Sequence, residues 1–309
     1  MLKCLVFCVL ALITAGPASA PEDRDRSDVT RTGLLVEAGA AAADPGTACE
    51  QVSFTRNLKY GEFDRNMLDV ATASARDATA HPVLLFVAGE SFGSDGATQD
   101  ADASAMQDQA MCFAARHGMV GVRMSYRLAP AASWPAGAKD VAAATSWIHQ
   151  NIDLFGGNTQ EIVAIGYAAG AFHVASLLAH RELQADDSDI AGAVLISGIY
   201  RPNVDDGDGV RAYLGTDASK YDDRSALPGL LSVQLPLMVV WSAADPQRLV
   251  TQGETLKALL CNSVAHCPRT KVLKNRETLA SGFGPDATDN GLAELTLELV
   301  HEIEARGLP

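Results

Sequence analysis

The stretch Ile162-Val-Ala-Ile-Gly-Tyr-Ala-Ala-Gly-Ala-Phe-His173 decides the fold of this chain. Its first four residues form a short apolar run rich in branched side chains, which is typical of a strand buried on both faces. Gly166 ends that run, and the small residues after it lead into a helix-like pattern. The stretch therefore predicts a buried strand that turns tightly, around Ala168, into a helix.

The two glycines of this turn, Gly166 and Gly170, have the spacing of the Gly-x-Ser-x-Gly motif. In that motif a strained strand-to-helix turn, the nucleophile elbow, lifts a serine hydroxyl above the sheet. Here the central residue is Ala168, and a methyl group cannot attack a carbonyl carbon. Two interpretations follow: an ordinary tight turn packed with small residues, or an elbow whose nucleophile is absent.

Strands and helices alternate along the rest of the chain. Besides the strand before Ala168, strands are predicted over 52–60, 67–73, 83–87, 120–126, 192–197, 237–242 and 270–273. Helices are predicted over 102–117, 136–152, from the turn to about Leu183, 249–260 and 290–305. Residues 200–233 are predicted to be an irregular, polar, glycine-rich insertion. The alternation predicts an α/β fold with a mostly parallel sheet and helices on both faces.

The loop after strand 83–87 bears on the choice between two α/β folds. A Rossmann-type sheet needs a Gly-x-Gly-x-x-Gly turn there, and Ala88–Gly96 does not supply one. The first two predicted strands, with the turn residues 61–65 between them, form an antiparallel hairpin. That start and the elbow together favour the α/β-hydrolase fold, with 200–233 as a cap-like insertion.

The N-terminus has the pattern of an export signal. Lys3 is followed by the apolar run Leu5–Ile13 and by Ala18-Ser-Ala20, a small-residue cleavage site. An uncleaved anchor or a buried helix is the alternative, but a membrane span needs about 20 apolar residues. We expect a signal peptide over 1–20, a flexible leader over 21–48 and the folded domain over 49–309. The protein is then exported, periplasmic or secreted, with no membrane anchor after cleavage.

The net charge argues against some classes of partner, and the cysteines indicate disulfides. The net charge of −14 argues against nucleic acid or an anionic membrane surface as a partner. Four cysteines follow the signal, and an oxidising compartment permits two disulfides among them. Cys261 and Cys267 bracket a short loop and are the natural pair, which leaves Cys49 with Cys112, although four cysteines allow three connectivities. A zinc site with His266 is the rival interpretation, and its spacing matches no structural zinc pattern. No metal or cofactor is expected.

Several segments, in this order along the chain, resemble the bacterial secreted carboxylesterase-like branch of the α/β-hydrolases, near the hormone-sensitive-lipase and feruloyl-esterase groups. The segments are Tyr126–Pro130, Trp134–Val141, Phe155–Asn158, Gly166–Ala175, Ser197–Tyr200 and Ala244–Pro246. The resemblance runs from about Val52 to the C-terminus. It implies an esterase ancestry, with a Ser–Asp–His triad and an oxyanion hole.

The resemblance places the family's catalytic parts on this chain, and most positions carry unsuitable residues. The nucleophile falls on Ala168 and the catalytic histidine on Thr278. The family's second histidine in the same loop falls on Arg276. Asp245 keeps the acid, although an Asp-Pro turn explains it equally well. The oxyanion positions are Gly89, Glu90, Ser91 and Ala169. Glu90 replaces a glycine there, and it is either a repurposed polar group of the old site or a loop glutamate that points to water. Phe92 and Tyr167 are predicted to line the pocket, and His173 to be a packed helix residue.

These substitutions lead to three functional hypotheses. The first is an exported esterase homologue that has lost hydrolysis and binds an ester-like small molecule or an unknown protein. The second is a weak or atypical ester hydrolase in which Ser91 or Ser281 acts as nucleophile, or Glu90 with Asp245 activates water. The third is a structural or adhesion protein that uses only its outer surface.

Overall fold

The computed structural model describes residues 49–75, 78–87, 89, 92–93, 101–185, 189–263, 267–275, 282–284 and 291–307. The predicted signal peptide over 1–20 and leader over 21–48 lie outside these residues and stay predictions. Eight strands of the described chain form one sheet. They are β1 (Val52–Lys59), β2 (Met67–Ala73), β3 (His81–Val87), β4 (Val120–Met124), β5 (Gly157–Tyr167), β6 (Gly192–Ile196), β7 (Leu237–Ser242) and β8 (Arg269–Leu273).

The strands lie in the order β1-β2-β4-β3-β5-β6-β7-β8. β1 pairs with β2, and β2 with β4, in antiparallel fashion, while the remaining pairs are parallel. The predicted hairpin start and the mostly parallel sheet are therefore confirmed. Because the parallel strands run in one direction, their C-terminal ends meet at one edge of the sheet, where open α/β folds bind ligands.

Helices cover the sheet, and those over 101–116, 136–151, 247–261 and 292–307 match predicted helices to within a few residues. The helices are α1 (Ala101–Arg116), α2 (Ala136–Asn151), α3 (Ala169–Ala179), α4 (Asp208–Leu214), α5 (Leu227–Leu230), α6 (Gln247–Cys261) and α7 (Leu292–Gly307). Alternate strand residues such as Leu84 and Phe86 share one buried cluster with Phe113 of α1 and Leu299 of α7. Successive side chains of a strand point to opposite faces, and α3 packs on β5 against α2.

The helix after the elbow is shorter than predicted. α3 ends at Ala179, and His180 takes an extended conformation with φ −114° and ψ 96° before a 3₁₀ turn over Arg181–Leu183. The His180 ring lies 5.6 Å from that of Trp134 in an edge-to-face contact. Periodicity continues through Leu183, but the backbone breaks where His180 turns toward this tryptophan.

The insertion over 200–233 is less irregular than predicted. It contains the short helices α4 and α5 and two 3₁₀ turns. Helices of seven and four residues are too short to be stable alone, so tertiary packing must hold them. Tyr213 and Leu214 of α4 are 1% and 0% exposed. Their burial supplies that packing, which the polar composition of the segment conceals.

A pair of arginines and a pair of aspartates tie the antiparallel strands to α1. Asp69 on β2 accepts hydrogen bonds from Arg56 of β1 at 3.0 Å and from Arg123 of β4 at 2.7 Å. Both arginines also bond to Asp108 of α1, at 3.3 and 2.9 Å. The backbone N–H of Asn57 donates to the second Asp69 oxygen at 2.7 Å. The Asp69 carboxylate, 9% exposed, is thus paired and hydrogen-bonded, as a buried charge must be.

Both expected disulfides are present. Cys49 pairs with Cys112 of α1, and Cys261 pairs with Cys267. A disulfide sulfur is not the thiolate that zinc requires, which removes the zinc alternative at Cys267. Two disulfides are typical of a protein from an oxidising, exported environment. The described part of the chain contains no helix that is both long and apolar enough to cross a membrane.

Candidate functional site

The turn between β5 and α3 adopts the predicted elbow geometry. Its apex, Ala168, has φ 50° and ψ −113°, a combination that glycine adopts readily and other residues rarely do. The Ala168 N–H donates to the Ile196 carbonyl of β6 at 2.9 Å, and its own carbonyl accepts from Phe172 N at 3.3 Å. These bonds fix the backbone, so the strained turn persists although its apex carries only a methyl group.

Close packing explains the first glycine of the motif. A Cβ at Gly166 would lie 2.5 Å from the Ala171 Cα and 2.8 Å from the Gly170 carbonyl oxygen. Both are backbone atoms, so they cannot move aside without shifting the helix. Gly166 therefore lets α3 cross closely over the end of β5. The requirement comes from the fold and holds whether or not a nucleophile is present.

The loop that carries the predicted oxyanion positions meets the elbow at Gly89. A side chain there would place its Cβ 2.4 Å from the Tyr167 ring and 2.8 Å from the Tyr167 carbonyl oxygen. Ala169, the other predicted oxyanion position, is the first residue of α3, where helix N–H groups have no intrahelical acceptor. The structure thus brings Gly89 to the elbow. Glu90 and Ser91 lie outside the described residues, and their roles stay predictions.

The predicted acid, Asp245, lies in the turn after β7 and is 8% exposed. Its Oδ2 accepts a hydrogen bond from the Ser197 hydroxyl at 2.6 Å and another from the Ser242 backbone N–H at 2.9 Å. Ser197 follows β6, is 3% exposed and has φ 49°. The carboxylate therefore joins the ends of β6 and β7, next to the strand that ends in the elbow.

The hydrogen bond from Ser197 to Asp245 is the contact that the sequence does not reveal. The segment Ser197–Tyr200 carries part of the family resemblance, but no spacing links Ser197 to a residue 48 positions later. The positive φ of a serine is a structural signal of a constrained site, and it has no counterpart in the sequence. Only the parallel pairing of β6 with β7 brings the hydroxyl to the carboxylate.

Six of the seven histidines lie within the described residues, and His266 does not. His173 of α3 is 1% exposed, and burial lowers its pKa from 6.5 to about 3. A packed helix histidine, as predicted, is what the structure contains. The others are His81 at the first residue of β3, His117 after α1, His149 on α2, His180 after α3 and His301 on α7. Thr278, the predicted base position, lies outside the described residues, as do Arg276 and Ser281.

The insertion packs against the elbow through a hydrophobic cluster, called here the insertion cluster. Its buried members are Phe92, Ala129, Ala169, Phe172, Ile199, Val210, Tyr213, Leu214 and Tyr221. The Phe92 ring stacks on that of Tyr213 at 5.3 Å and meets Phe172 edge-to-face at 5.4 Å. Phe92, predicted to line the pocket, is 8% exposed, whereas Tyr167 is half-buried beside Gly89. The insertion therefore covers the N-terminal end of α3.

Metal ligands are not clustered in the part of the chain that the structure describes. No group of three or more His, Cys, Asp or Glu side chains there is arranged to hold an ion. Among the described residues, the groups at the elbow and the neighbouring strand ends are backbone N–H groups, the Asp245 carboxylate and the Ser197 hydroxyl.

Comparison with known proteins agrees with this architecture. Residues 41–205, which are 165 of the 309 residues and just over half of the chain, match the sequence model of the carboxylesterase family. The chain belongs to the carboxylesterase family. The fold is the α/β-hydrolase fold, as predicted, and the chain is a carboxylesterase-like α/β-hydrolase homologue.

Three curated relatives of this carboxylesterase-family chain are esterases by name. Esterase LipQ of Mycobacterium tuberculosis is 27% identical over 218 residues, which cover 65% of this chain and 49% of the relative. Esterase LipC of the same organism is 31% identical over 122 residues, covering 40% and 28%. The para-nitrobenzyl esterase of Bacillus subtilis is 30% identical over 149 residues, covering 43% and 29%. The chain thus spans between about a quarter and half of the length of these relatives.

Solved structures support the fold over nearly the whole chain. Esterase B from Lactobacillus rhamnosis in an inhibited form superposes with a TM-score of 0.69 at 13% identity, covering 91% of this chain and 94% of that protein. A hyperthermophilic esterase from Pyrobaculum calidifontis gives a TM-score of 0.57 at 16% identity, covering 89% of each. At such identities the likeness concerns the fold alone.

Proposed function

We propose that this carboxylesterase-family protein has lost serine-dependent ester hydrolysis and uses the elbow end of its sheet to bind an ester-like small molecule or a protein partner. The observation that carries the proposal is the methyl group of Ala168 at the apex of an intact elbow. A serine esterase forms its covalent intermediate through a hydroxyl at this point. Without that oxygen the acyl group has no acceptor here.

The predicted base and oxyanion positions support the same conclusion. A threonine at 278 cannot take a proton from a nucleophile near neutral pH, as histidine does. A glutamate at 90 replaces a glycine of the family's oxyanion loop, and its side chain restricts the backbone whose N–H groups would form the oxyanion hole. Loss of one triad member already removes most of the triad's contribution, and further losses are not additive. Changes at several positions fit a lineage in which hydrolysis was lost and the fold was kept.

The environment of Asp245 gives its retention a structural reason. One carboxylate oxygen accepts both the Ser197 hydroxyl and the Ser242 N–H. Hydrogen bonds to a carboxylate are stronger than those between neutral groups, so the side chain stabilises the ends of β6 and β7. Asp245 is useful to the fold without a histidine to orient.

Binding without hydrolysis fits the position of the elbow. Open α/β sheets bind ligands at the C-terminal ends of their strands, whatever chemistry follows. The backbone N–H of Ala169 lies at the N-terminus of α3, where a carbonyl oxygen or a carboxylate is a suitable acceptor. We place the protein in the periplasm or outside the cell, where its disulfides and predicted signal peptide belong.

Hydrolysis by the purified protein tests the proposal directly. We expect no turnover of p-nitrophenyl acetate or butyrate above a boiled control, and no labelling by a fluorophosphonate probe. The variant Ala168→Ser restores the missing oxygen, and Ala168→Ser with Thr278→His restores both predicted triad positions. Gain of activity in the double variant, against Ala168→Gly with Thr278→His as control, supports loss of the triad. Turnover by the unaltered protein refutes the proposal.

Binding is tested separately by thermal unfolding. A ligand that binds only the folded state raises the melting temperature with its concentration. We expect alkyl phenyl ketones, which resemble esters but are not hydrolysed, to raise it, and a bulky residue at the apex, Ala168→Leu, to abolish the effect. No shift with any ketone would favour a protein partner over a small molecule.

An atypical hydrolase is the second candidate, because three of the curated relatives are named esterases. In that case Ser91 or Ser281 acts as the nucleophile, or Glu90 and Asp245 activate water. If the esters are hydrolysed, Ser91→Ala, Ser281→Ala and Asp245→Asn identify the group by the loss of kcat that each causes. Unchanged kcat in all three variants would contradict this candidate.

A further inference from the structure

His173 lies at the centre of the contact between α3 and the insertion. It is 1% exposed, and neither ring nitrogen has a hydrogen-bond partner among the described residues. Four aromatic rings surround the imidazole edge-on: Tyr126 at 4.5 Å, Tyr213 at 5.1 Å, Phe92 at 5.6 Å and Phe172 at 6.0 Å. A buried polar group normally finds a partner, so this enclosure suits only the neutral ring.

The rings around His173 come from different parts of the chain. Phe92 follows β3, Tyr126 follows β4, and Tyr213 belongs to α4 of the insertion. The first turn of α2 closes the remaining side, because a Cβ at Gly137 would lie 2.4 Å from the imidazole. The Gly137 N–H also donates to the Tyr213 hydroxyl at 3.0 Å. The insertion is thus joined to the elbow helix through the imidazole and its neighbours.

The charged groups on these elements are engaged with each other and not with the imidazole. On α2, Asp140 pairs with Arg127, which follows Tyr126, at 2.7 Å. On α4, Asp208 pairs with Arg211 at the exposed surface. The other titratable groups on these elements are Tyr126 and Tyr213, the second with a pKa raised by burial, and Lys139 and His149 of α2; α3 itself has no charged residue. Glu90, near Phe92 in the chain, lies outside the described residues.

We propose that His173 is an acid-operated latch, which holds the 200–233 insertion against the elbow while its imidazole is neutral and releases it on protonation. A charged imidazolium inside the aromatic enclosure would have two buried N–H donors without acceptors, a costly state. Moving the insertion away exposes the ring to water and removes that cost. The short helices α4 and α5 are held in place by packing, so they can open locally when that packing is lost. The inference concerns access to the elbow and holds whether or not the elbow hydrolyses esters.

The direction of the pH dependence follows from burial. The pKa of His173 is lowered to about 3 in the closed state, against 6.5 for an exposed histidine. The contribution of the neutral imidazole to the stability of the closed state is therefore fully present above pH 6.5. It decreases as the pH falls below that value, because only the open state takes up the proton. Between pH 7.5 and pH 5 this linkage raises the open-to-closed ratio about 30-fold.

Hydrogen exchange of the full-length protein tests the latch. Exchange is followed by mass spectrometry from pH 7.5 to pH 5 and corrected for the intrinsic rate at each pH. We expect opening of peptides from residues 204–230 to increase about 30-fold, while peptides from β5 and β6 keep their protection. His173→Leu should remove the increase, and His173→Asn serves if the leucine variant does not fold. His149→Gln, at a half-buried histidine bonded to the Asp189 carbonyl, should leave it unchanged.

Two results would overturn the proposal. One is an equal increase in the His173→Leu variant, which would place the acid-sensitive group elsewhere. The other is loss of protection in the insertion and in the β5 and β6 peptides at the same pH, which would mean that acid unfolds the whole domain. The second comparison needs no variant, because the strand peptides of the unaltered protein serve as the reference.

Discussion

Replacing Ala168 by glycine should stabilise the protein. With φ 50° and ψ −113°, the alanine occupies a region where a side chain costs about 1–3 kcal/mol. Glycine relieves this strain but adds freedom to the unfolded chain, which costs about 0.4–1 kcal/mol. The Ala168 methyl is half-exposed, so little packing is lost. We expect a net gain of about 1 kcal/mol in the free energy of unfolding.

Urea unfolding followed by circular dichroism measures this gain. The matched control is Ala143→Gly, which removes an equally half-buried methyl from the interior of α2. That change should cost about 1 kcal/mol, since glycine disfavours a helix. The two variants should therefore differ by about 2 kcal/mol with opposite signs. If Ala168→Gly destabilises the protein as much as Ala143→Gly does, the elbow is not strained and the reasoning fails.

Two further predictions concern the charge network and the disulfides. Asp69→Asn removes the charge that Arg56 and Arg123 share and should lower the free energy of unfolding by about 3 kcal/mol. The control Asp222→Asn, at the exposed pair with Arg201, should change it by less than about 1 kcal/mol. Equal effects of the two variants in urea titrations would contradict the argument from burial. A double alanine substitution that removes the Cys49–Cys112 disulfide should lower the free energy of unfolding by about 4 kcal/mol, because the bonded cysteines are 63 positions apart. Removing Cys261–Cys267, whose cysteines are 6 positions apart, should lower it by about 2 kcal/mol. The reverse order in thermal unfolding would contradict this loop-length argument.

The elements of the sheet could be predicted because their patterns are local. β3, β5, β6 and β7 are short apolar runs, and α2 shows a stripe of apolar residues with helical spacing. The elbow was predictable from two glycines at a fixed spacing. Strand order is different: β4 lies between β2 and β3 in the sheet, which no local pattern encodes.

The parts that the sequence does not reveal depend on contacts between distant segments. The insertion is polar and glycine-rich, yet α4 forms because Tyr213 and Leu214 are buried against Phe92 and Phe172. The bond from Ser197 to Asp245 and the enclosure of His173 also arise only after the strands are assembled. From the sequence, His173 is predicted to be an ordinary core residue of a helix. Its two unpartnered nitrogens become visible only when the four surrounding rings are in place.

The Cys49–Cys112 disulfide also determines how the domain bears mechanical load. β1 is an edge strand with β2 as its single neighbour in the sheet, so tension along it would peel its hydrogen bonds one after another. Cys49 precedes β1 and is bonded to α1, which packs on β2 and β4. A pull on the chain before Cys49 therefore passes through the sulfur atoms into α1 and bypasses the weakest strand. Attachment at that end would load α1 and the strands β2 and β4 on which it packs, and would leave β1 without tension.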